Sequence, residues 1–356
     1  MAESPTENPS PKVKKAYFLP TLFKLMLLGI CTLGIYAIYL DGKIRNKMEG
    51  QIWQLPAEVY SRIETISLEQ NLTLEQVKSI LLDNGYREVS LIATPGDFKV
   101  ENNTLVLLRR AFQFPQEPEA QRVLRLRFIH QTLVRIEDLV QMKELNAFRL
   151  DPKLIAMLHS ENDEERQALR LQDYPRLLIE ALLLTEDKRF FQHDGISPIG
   201  IARALITNYQ AGRTVQGGST LTQQLVKNLF LSNEKSLVRK VNEALMSLIL
   251  DYRYDKNRIL ETYLNEIYLG QNGSYQIHGF ALASQFYFGR PVQELSLNQI
   301  ATLVGIVKGP SLYNPWKNPQ GALERRNVVL RVLLEHQLIN QELYTLLSQQ
   351  PLGVKE

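Results

Sequence analysis

Two strings between Glu186 and Asn228 combine residue types that solvated helix faces and apolar cores rarely share. The first, EDKRFFQHDG, sets the carboxylate pair Glu186 and Asp187 against Phe, His and Gly. The second, GGSTLTQQLVKN, opens on two glycines and feeds a helix in which Thr220, Gln223, Gln224 and Lys227 recur at i, i+3, i+4 and i+7. That spacing is one polar stripe, and Leu221, Leu225 and Leu229 on the other side predict a core-facing flank. A stripe of hydrogen-bonding side chains beside a carboxylate pair reads as the wall of a binding site. Glu186 ends an apolar helix (Leu177, Leu178, Ala181, Leu182, Leu184), where a carboxyl raised towards neutrality would serve as a general base. The same local pattern also fits two acids decorating a helix end.

Further residues extend the chemistry. Gly217, Gly218 and Ser219 before a helix predict an anion site, with Ser219 as cap and free N–H groups aimed at the ligand. Lys227 and Asn228 lie farther along the same helix. In SLVRKVNEALMSLILDY, Glu243 shares a face with Arg239 and Lys240 among apolar neighbours. A surface ion pair fits that spacing, and so does a partly buried carboxylate that positions a pyrophosphate, directly or through a metal. Lys308 sits on the Gly-Pro turn of VKGPSLYNPW, free to reach a phosphate. Glu261, Arg325 and Arg326 read as structural, and His193 as a local hydrogen-bonding residue.

These residues need elements to hold them. At 356 residues the chain exceeds a usual single domain, and its 44% hydrophobic and 22% charged residues are those of a folded protein. A net charge of +3, with Lys and Arg spread along the chain, excludes a nucleic-acid footprint. One cysteine, Cys31, excludes an intramolecular disulfide, and the five histidines form no HExxH or HxH pattern. Residues 1–17 predict a disordered tail. Residues 18–40 are apolar with one early charge, Lys24, and predict a retained transmembrane helix. A cleaved signal peptide fits less well, because the run is long and lacks a small-x-small site before Asp41. Lys12, Lys14 and Lys15 on one side nearly balance Lys43, Arg45 and Lys47 on the other, so charge does not orient it.

Residues 50–150 predict a small α+β unit. It has a helix over Thr73–Tyr86, capped by Thr73 and ended near Gly85, then short strands in EVSLIA, FKV, TLVLLRRAF, RVLRLRF and HQTLVRIEDL. From Leu154 the pattern predicts helices almost throughout, seven in all, between YPRLLIEALLLTEDKRFF and ERRNVVLRVLLEHQLI.

Five ordered strings, EDKRFFQHDG, GGSTLTQQLVKN, RKVNEA, KNRILETYLNEIYLG and ERRNVVL, resemble the motifs of the peptidoglycan glycosyltransferases, glycosyltransferase family 51. With the anchor and the small domain, the chain looks like the N-terminal part of a class A penicillin-binding protein of subclass b. The resemblance implies a mainly α fold. A lysozyme-like glycosyltransferase domain over 154–340 would follow a cytoplasmic tail, a single transmembrane helix and a docking domain over 50–150, with 341–356 starting a linker. It implies polymerisation of lipid II into β-1,4 glycan, with inversion and loss of undecaprenyl pyrophosphate, on the periplasmic side of the bacterial inner membrane.

By motif position Glu186 is the implied base, and Glu243 stabilises the donor, directly or through a divalent cation (Mg or Mn). Asp187, Ser219, Thr220, Gln224, Lys227, Asn228, Arg239 and Lys308 fall on substrate-binding positions. The implied partners are lipid II, the growing strand, the membrane and an outer-membrane lipoprotein activator. Residues 196–216 match a segment that is mobile in the family. The chain stops at Glu356 before any transpeptidase motif, as a cut-down or a naturally short form, so penicillin binding is not expected. Its SxxK string, residues 232–235, reads as coincidence. The rival readings are a lysozyme-like glycan-cleaving enzyme and a non-catalytic cell-wall scaffold.

Overall fold

A computed structural model describes residues 18–50, 57–114, 117–158, 168–212, 217–232, 234, 236–273 and 275–355. The expected disordered tail and Lys235 of the SxxK string lie outside these residues.

Helix α1 runs from Phe18 to Glu49, nine residues past the apolar run. It is the single helix among the described residues long and apolar enough to cross a membrane. Its first part exposes apolar side chains such as Ile35 and Ile38, each more than 70% exposed. Its last turns do the opposite. Leu40, Ile44 and Met48, spaced at i, i+4 and i+8, are buried in the helical core, and Asp41 pairs with Arg253 at 2.5 Å. The apolar segment and the helical core therefore share one continuous helix, which runs past its expected end at Leu40.

Next comes the α+β unit. Its strands are β1 (Ala57–Tyr60), β2 (Thr65–Ser67), β3 (Arg87–Glu88), β4 (Asp97–Glu101), β5 (Thr104–Arg109), β6 (Phe112–Gln113), β7 (Pro118–Glu119), β8 (Arg122–Ile129), β9 (Thr132–Asp138), β10 (Lys143–Leu145), β11 (Ala147–Arg149) and β12 (Leu154–Leu158). A six-stranded sheet in the order β10-β9-β8-β5-β4-β3 is antiparallel except between β3 and β4. Leu105 and Leu107 of β5 and Leu124 and Leu126 of β8 alternate inward, as a one-sided sheet requires. Helix α2 (Leu74–Asp83) covers that face with Val77 and Leu81, and Thr73 caps it as expected. Of EVSLIA only the first residue, Glu88, is in a strand.

The helical part contains α3 (Arg176–Glu186), α4 (Pro198–Ala211), α5 (Leu221–Phe230), α6 (Leu237–Arg253), α7 (Lys256–Glu266), α8 (Phe280–Phe288), α9 (Leu297–Val307), α10 (Pro319–Glu335) and α11 (Gln341–Gln349). A hairpin of β13 (Tyr268–Asn272) and β14 (Tyr275–His278) interrupts them. All seven expected helices are present, although the first stops at Glu186 and not Phe191, and residues 268–270 are strand and not the end of α7.

Two other differences and one further element matter. Leu154–Leu158, expected as the start of the helical region, is a strand that pairs antiparallel with β1. The stretch expected to be mobile holds α4, whose signals were local: Ser197 caps it, Pro198 opens it and Gly212 ends it in a left-handed conformation. Of residues 341–356, expected as the start of a linker, the described ones (341–355) form α11 and a tail with Leu347 and Leu352 buried. Arg326 anchors that segment. It is fully buried and donates to the carbonyls of Ser348 (3.0 Å) and Gln350 (2.7 Å).

The two folded parts meet at Glu294, in the turn between α8 and α9. Its carboxylate is 3% exposed and pairs with Arg87 and Arg110 of the α+β unit.

Candidate active site

A cleft of about 1090 Å³ opens among α3, α5, α6, the β13–β14 hairpin and the turn after α9. Glu186, the last residue of α3, stands in its wall with its side chain 7% exposed. Helix α3 packs on α9 and α10, with Leu178, Ala181 and Leu182 fully buried, so the carboxylate projects from a rigid element. Each oxygen is held. Arg325 Nη2 donates to Oε1 at 3.1 Å, and Gln224 Nε2 donates to Oε2 at 3.1 Å. Gln224 in turn accepts from the Tyr263 hydroxyl at 2.7 Å. Burial, with Glu186 and Asp187 nearby, pushes the Tyr263 phenol well above its usual range, so it remains a neutral donor. The sequence alone makes Arg325 a structural residue. It is instead the cation paired with the candidate base, and two adjacent arginines on one helix gave no sign of which faced inward.

Helix α5 is set against Glu186 through its start. Asp187 Oδ2 accepts from the Leu221 N–H at 3.0 Å and bonds His193 Nε2 at 2.9 Å. A carboxylate at a helix N-terminus satisfies an orphan donor and complements the dipole. Thr220, not Ser219, is the N-cap, in a capping box with Gln223 (3.1 and 3.0 Å), and its hydroxyl donates to Gly195 O at 2.6 Å. Gly195 has φ +84°, and a Cβ there would lie 2.3 Å from Ser247 O, so only glycine lets this turn seat against α6.

The N–H groups expected to receive an anion are thus partly occupied within the fold. Asn228 is engaged at both ends, donating to Glu266 O at 2.6 Å and accepting from Tyr268 N at 3.2 Å. Asp187, Thr220, Gln224 and Asn228 line the cleft, and each also has a hydrogen-bond partner within the fold.

The second glutamate of the cleft is held differently. Glu243 of α6, 3% exposed at its side chain, pairs with Arg239 at 2.8 Å and with Lys240. Lys240 also donates to Ser219 Oγ at 2.9 Å, which ties the Gly-Gly-Ser turn to α6. Lys227 and Lys308 line the cleft and have no ion-pair partner among the described residues. Gly217 makes room for the second, because a Cβ there would lie 3.1 Å from Lys308 Nζ. Counting the whole lining, eight Lys and Arg face three carboxylates. Such a surplus favours an anionic ligand with more than one charge.

The residues do not fit a protein-held divalent cation. Glu243 already holds two cations, and no cluster of three or more His, Cys, Asp or Glu suited to a metal occurs among the described residues. A hard cation usually needs several oxygen ligands at one point.

This cleft is built by the region that matches the transglycosylase family model, residues 151–334. The chain belongs to that family. Residues 66–150 match a second model, described as the bifunctional transglycosylase second domain, so the transglycosylase region carries the α+β unit as a recognised companion. Among curated relatives, penicillin-binding protein 1B of Haemophilus influenzae is 66% identical over 96% of this chain and 43% of its own length. Penicillin-binding protein 1B of Escherichia coli K12 is 52% identical over 93% of this chain and 39% of its own. That of Vibrio cholerae is 48% identical over 94% and 43%. The chain therefore spans about two fifths of these relatives.

Within this transglycosylase region, the sequence-predicted residues gather in one place. Glu186, Asp187, Ser219, Thr220, Gln224, Lys227, Asn228, Arg239, Glu243 and Lys308 all line the same cleft. Glu261 does not, and bonds the Leu171 N–H at 2.7 Å as a structural acid.

Proposed function

We propose that this chain is a peptidoglycan glycosyltransferase that polymerises lipid II into β-1,4 glycan strands. The observation that carries the reading is the content of the cleft, in which a carboxylate held at both oxygens shares its lining with eight Lys and Arg. The acceptor 4-hydroxyl attacks the anomeric carbon of the donor strand and its proton passes to Glu186. The new C–O bond forms as the bond to pyrophosphate breaks, so an α-linked donor gives a β product. The charge on departing undecaprenyl pyrophosphate is met by Lys227, Lys308 and Arg239. Glu243 serves the leaving group by holding Arg239 and Lys240 in place.

Helix α1 anchors the enzyme in the inner membrane with the catalytic domain on the periplasmic side, where an undecaprenyl-linked substrate can reach the cleft. The α+β unit is the docking module for an outer-membrane lipoprotein activator. Its support is the second family match and its junction with the catalytic part at Glu294.

A hydrolase has no pyrophosphate to hold, which weighs against the lysozyme-like alternative. Incubating the purified chain in detergent with labelled lipid II separates the readings. Long glycan products are expected. Cleavage of preformed glycan supports the hydrolase, and an inert protein supports the scaffold.

A further inference from the structure

We infer that Tyr263 is a positioning residue, one that fixes the polarity of the Gln224 amide and through it the aim of Glu186. The inference rests on the glycosyl-transfer reading. Tyr263 is fully buried on α7, which packs on α5, and its ring belongs to the helical core. Among the described residues its hydroxyl has one partner, Gln224 Oε1 at 2.7 Å. An amide can occupy nearly the same space in two orientations, and its hydrogen bonds decide between them.

In the orientation present, the phenol O–H meets the amide oxygen and the amide NH₂ meets Glu186 Oε2 at 3.1 Å. Turned over, the amide oxygen would face the carboxylate and the phenol would lose its acceptor. The carboxylate side already disfavours that flip, and the buried phenol adds to the preference because its O–H proton would then have no acceptor. With Arg325 on Oε1 and Gln224 on Oε2, the plane of the Glu186 carboxylate is fixed from both ends. A carboxylate accepts about four hydrogen bonds, so two lone pairs remain for the acceptor hydroxyl. Tyr263 never touches substrate in this arrangement. It acts on rate through aim, and not on binding.

Three variants test this in the full chain, assayed with labelled lipid II in detergent. Tyr263→Phe keeps the ring in the core and removes only the hydroxyl. Its kcat is expected to fall about tenfold, while KM stays within about twofold and the melting midpoint falls by the few degrees that loss of one buried hydrogen bond costs. Tyr263→4-aminophenylalanine, which keeps a donor at the same place, is expected to recover most of the lost turnover. In a Gln224→Ala background, Tyr263→Phe should add no further loss, because its path to Glu186 is already cut. The inference is overturned if Tyr263→Phe turns over at the wild-type rate, if the amino variant gives no rescue, or if the tenfold loss persists without Gln224. Absence of product from the wild-type chain would instead sink the glycosyl-transfer reading itself.

Discussion

Glu243 and Glu294 are almost the same object by local chemistry. Each is a glutamate 3% exposed at its side chain, and each is gripped by two cations, Arg239 and Lys240 in one case and Arg87 and Arg110 in the other. They differ in what their partners have left over. Around Glu294, Arg87 also bonds Asp97 (2.9 Å) and Pro95 O (2.8 Å). Arg110 bonds Asp151 (3.0 Å) and Gly85 O (2.8 Å), and its guanidinium lies 4.3 Å from the Tyr86 ring. That cluster is complete. Around Glu243, Arg239 Nε is buried with no partner, Lys240 is 46% exposed, and Lys227 and Lys308 stand nearby in the cleft. A buried ion pair alone therefore does not mark a functional site, whereas unmet hydrogen-bonding capacity beside a cavity does.

The comparison breaks most visibly at Glu186, which belongs to the unfinished side. Glu186→Gln keeps size and polarity but cannot take a proton. Turnover of lipid II is expected to fall on the order of 10³-fold, the usual scale for a lost general base, with the melting curve little changed. Near-normal turnover in that variant would remove Glu186 as the base. It would also leave the excess of cations in the cleft without a chemical purpose.

Glu294→Ala probes the finished side and should behave in reverse. Removing the acid leaves Arg87 and Arg110, each under 20% exposed at the side chain, facing one another without their shared anion. Breaking a buried pair in this way costs about 3 kcal/mol, read as a lower urea midpoint for the chain in detergent. Turnover per folded molecule should hold, because no contact of Glu294 reaches the cleft. If turnover fell while stability held, the joint would be a link in catalysis and the distinction between the two clusters would fail.

How much of this was visible in the sequence follows from where the partners lie. The seven helices were legible because their apolar period, caps and glycines are all local. So was the membership of the cleft, since residue types at short spacing carry the motifs. The jobs within it were not. Asp187 bonds a residue 34 positions away, Thr220 one 25 away and Asn228 one 38 away, so their places in the framework exist only after folding. Arg325 reaches Glu186 across 139 residues, and nothing in ERRNVVL separates it from Arg326, which faces the other way and binds the carbonyls near α11. Strand β12 was missed for a related reason, because β1, the strand that pairs with it, lies about a hundred residues earlier.

The smallest effect is expected at Arg176, and it bounds the scale from below. Arg176 donates to Glu180 at 2.7 Å, closer than the contacts of Arg325 with Glu186, yet its side chain is 91% exposed. Distance alone would rank it with the buried pairs. Three terms say otherwise: water screens the charges, holding two long side chains in one geometry costs entropy, and a cation at the first position of α3 opposes the helix dipole. Arginine placed before glutamate is also the weaker order for such a pair. Arg176→Ala should therefore change stability by less than about 0.5 kcal/mol, a shift of roughly 2 °C or less in the melting midpoint. A loss comparable to that of Glu294→Ala would mean that contact distance, and not burial, ranks the ion pairs of this protein.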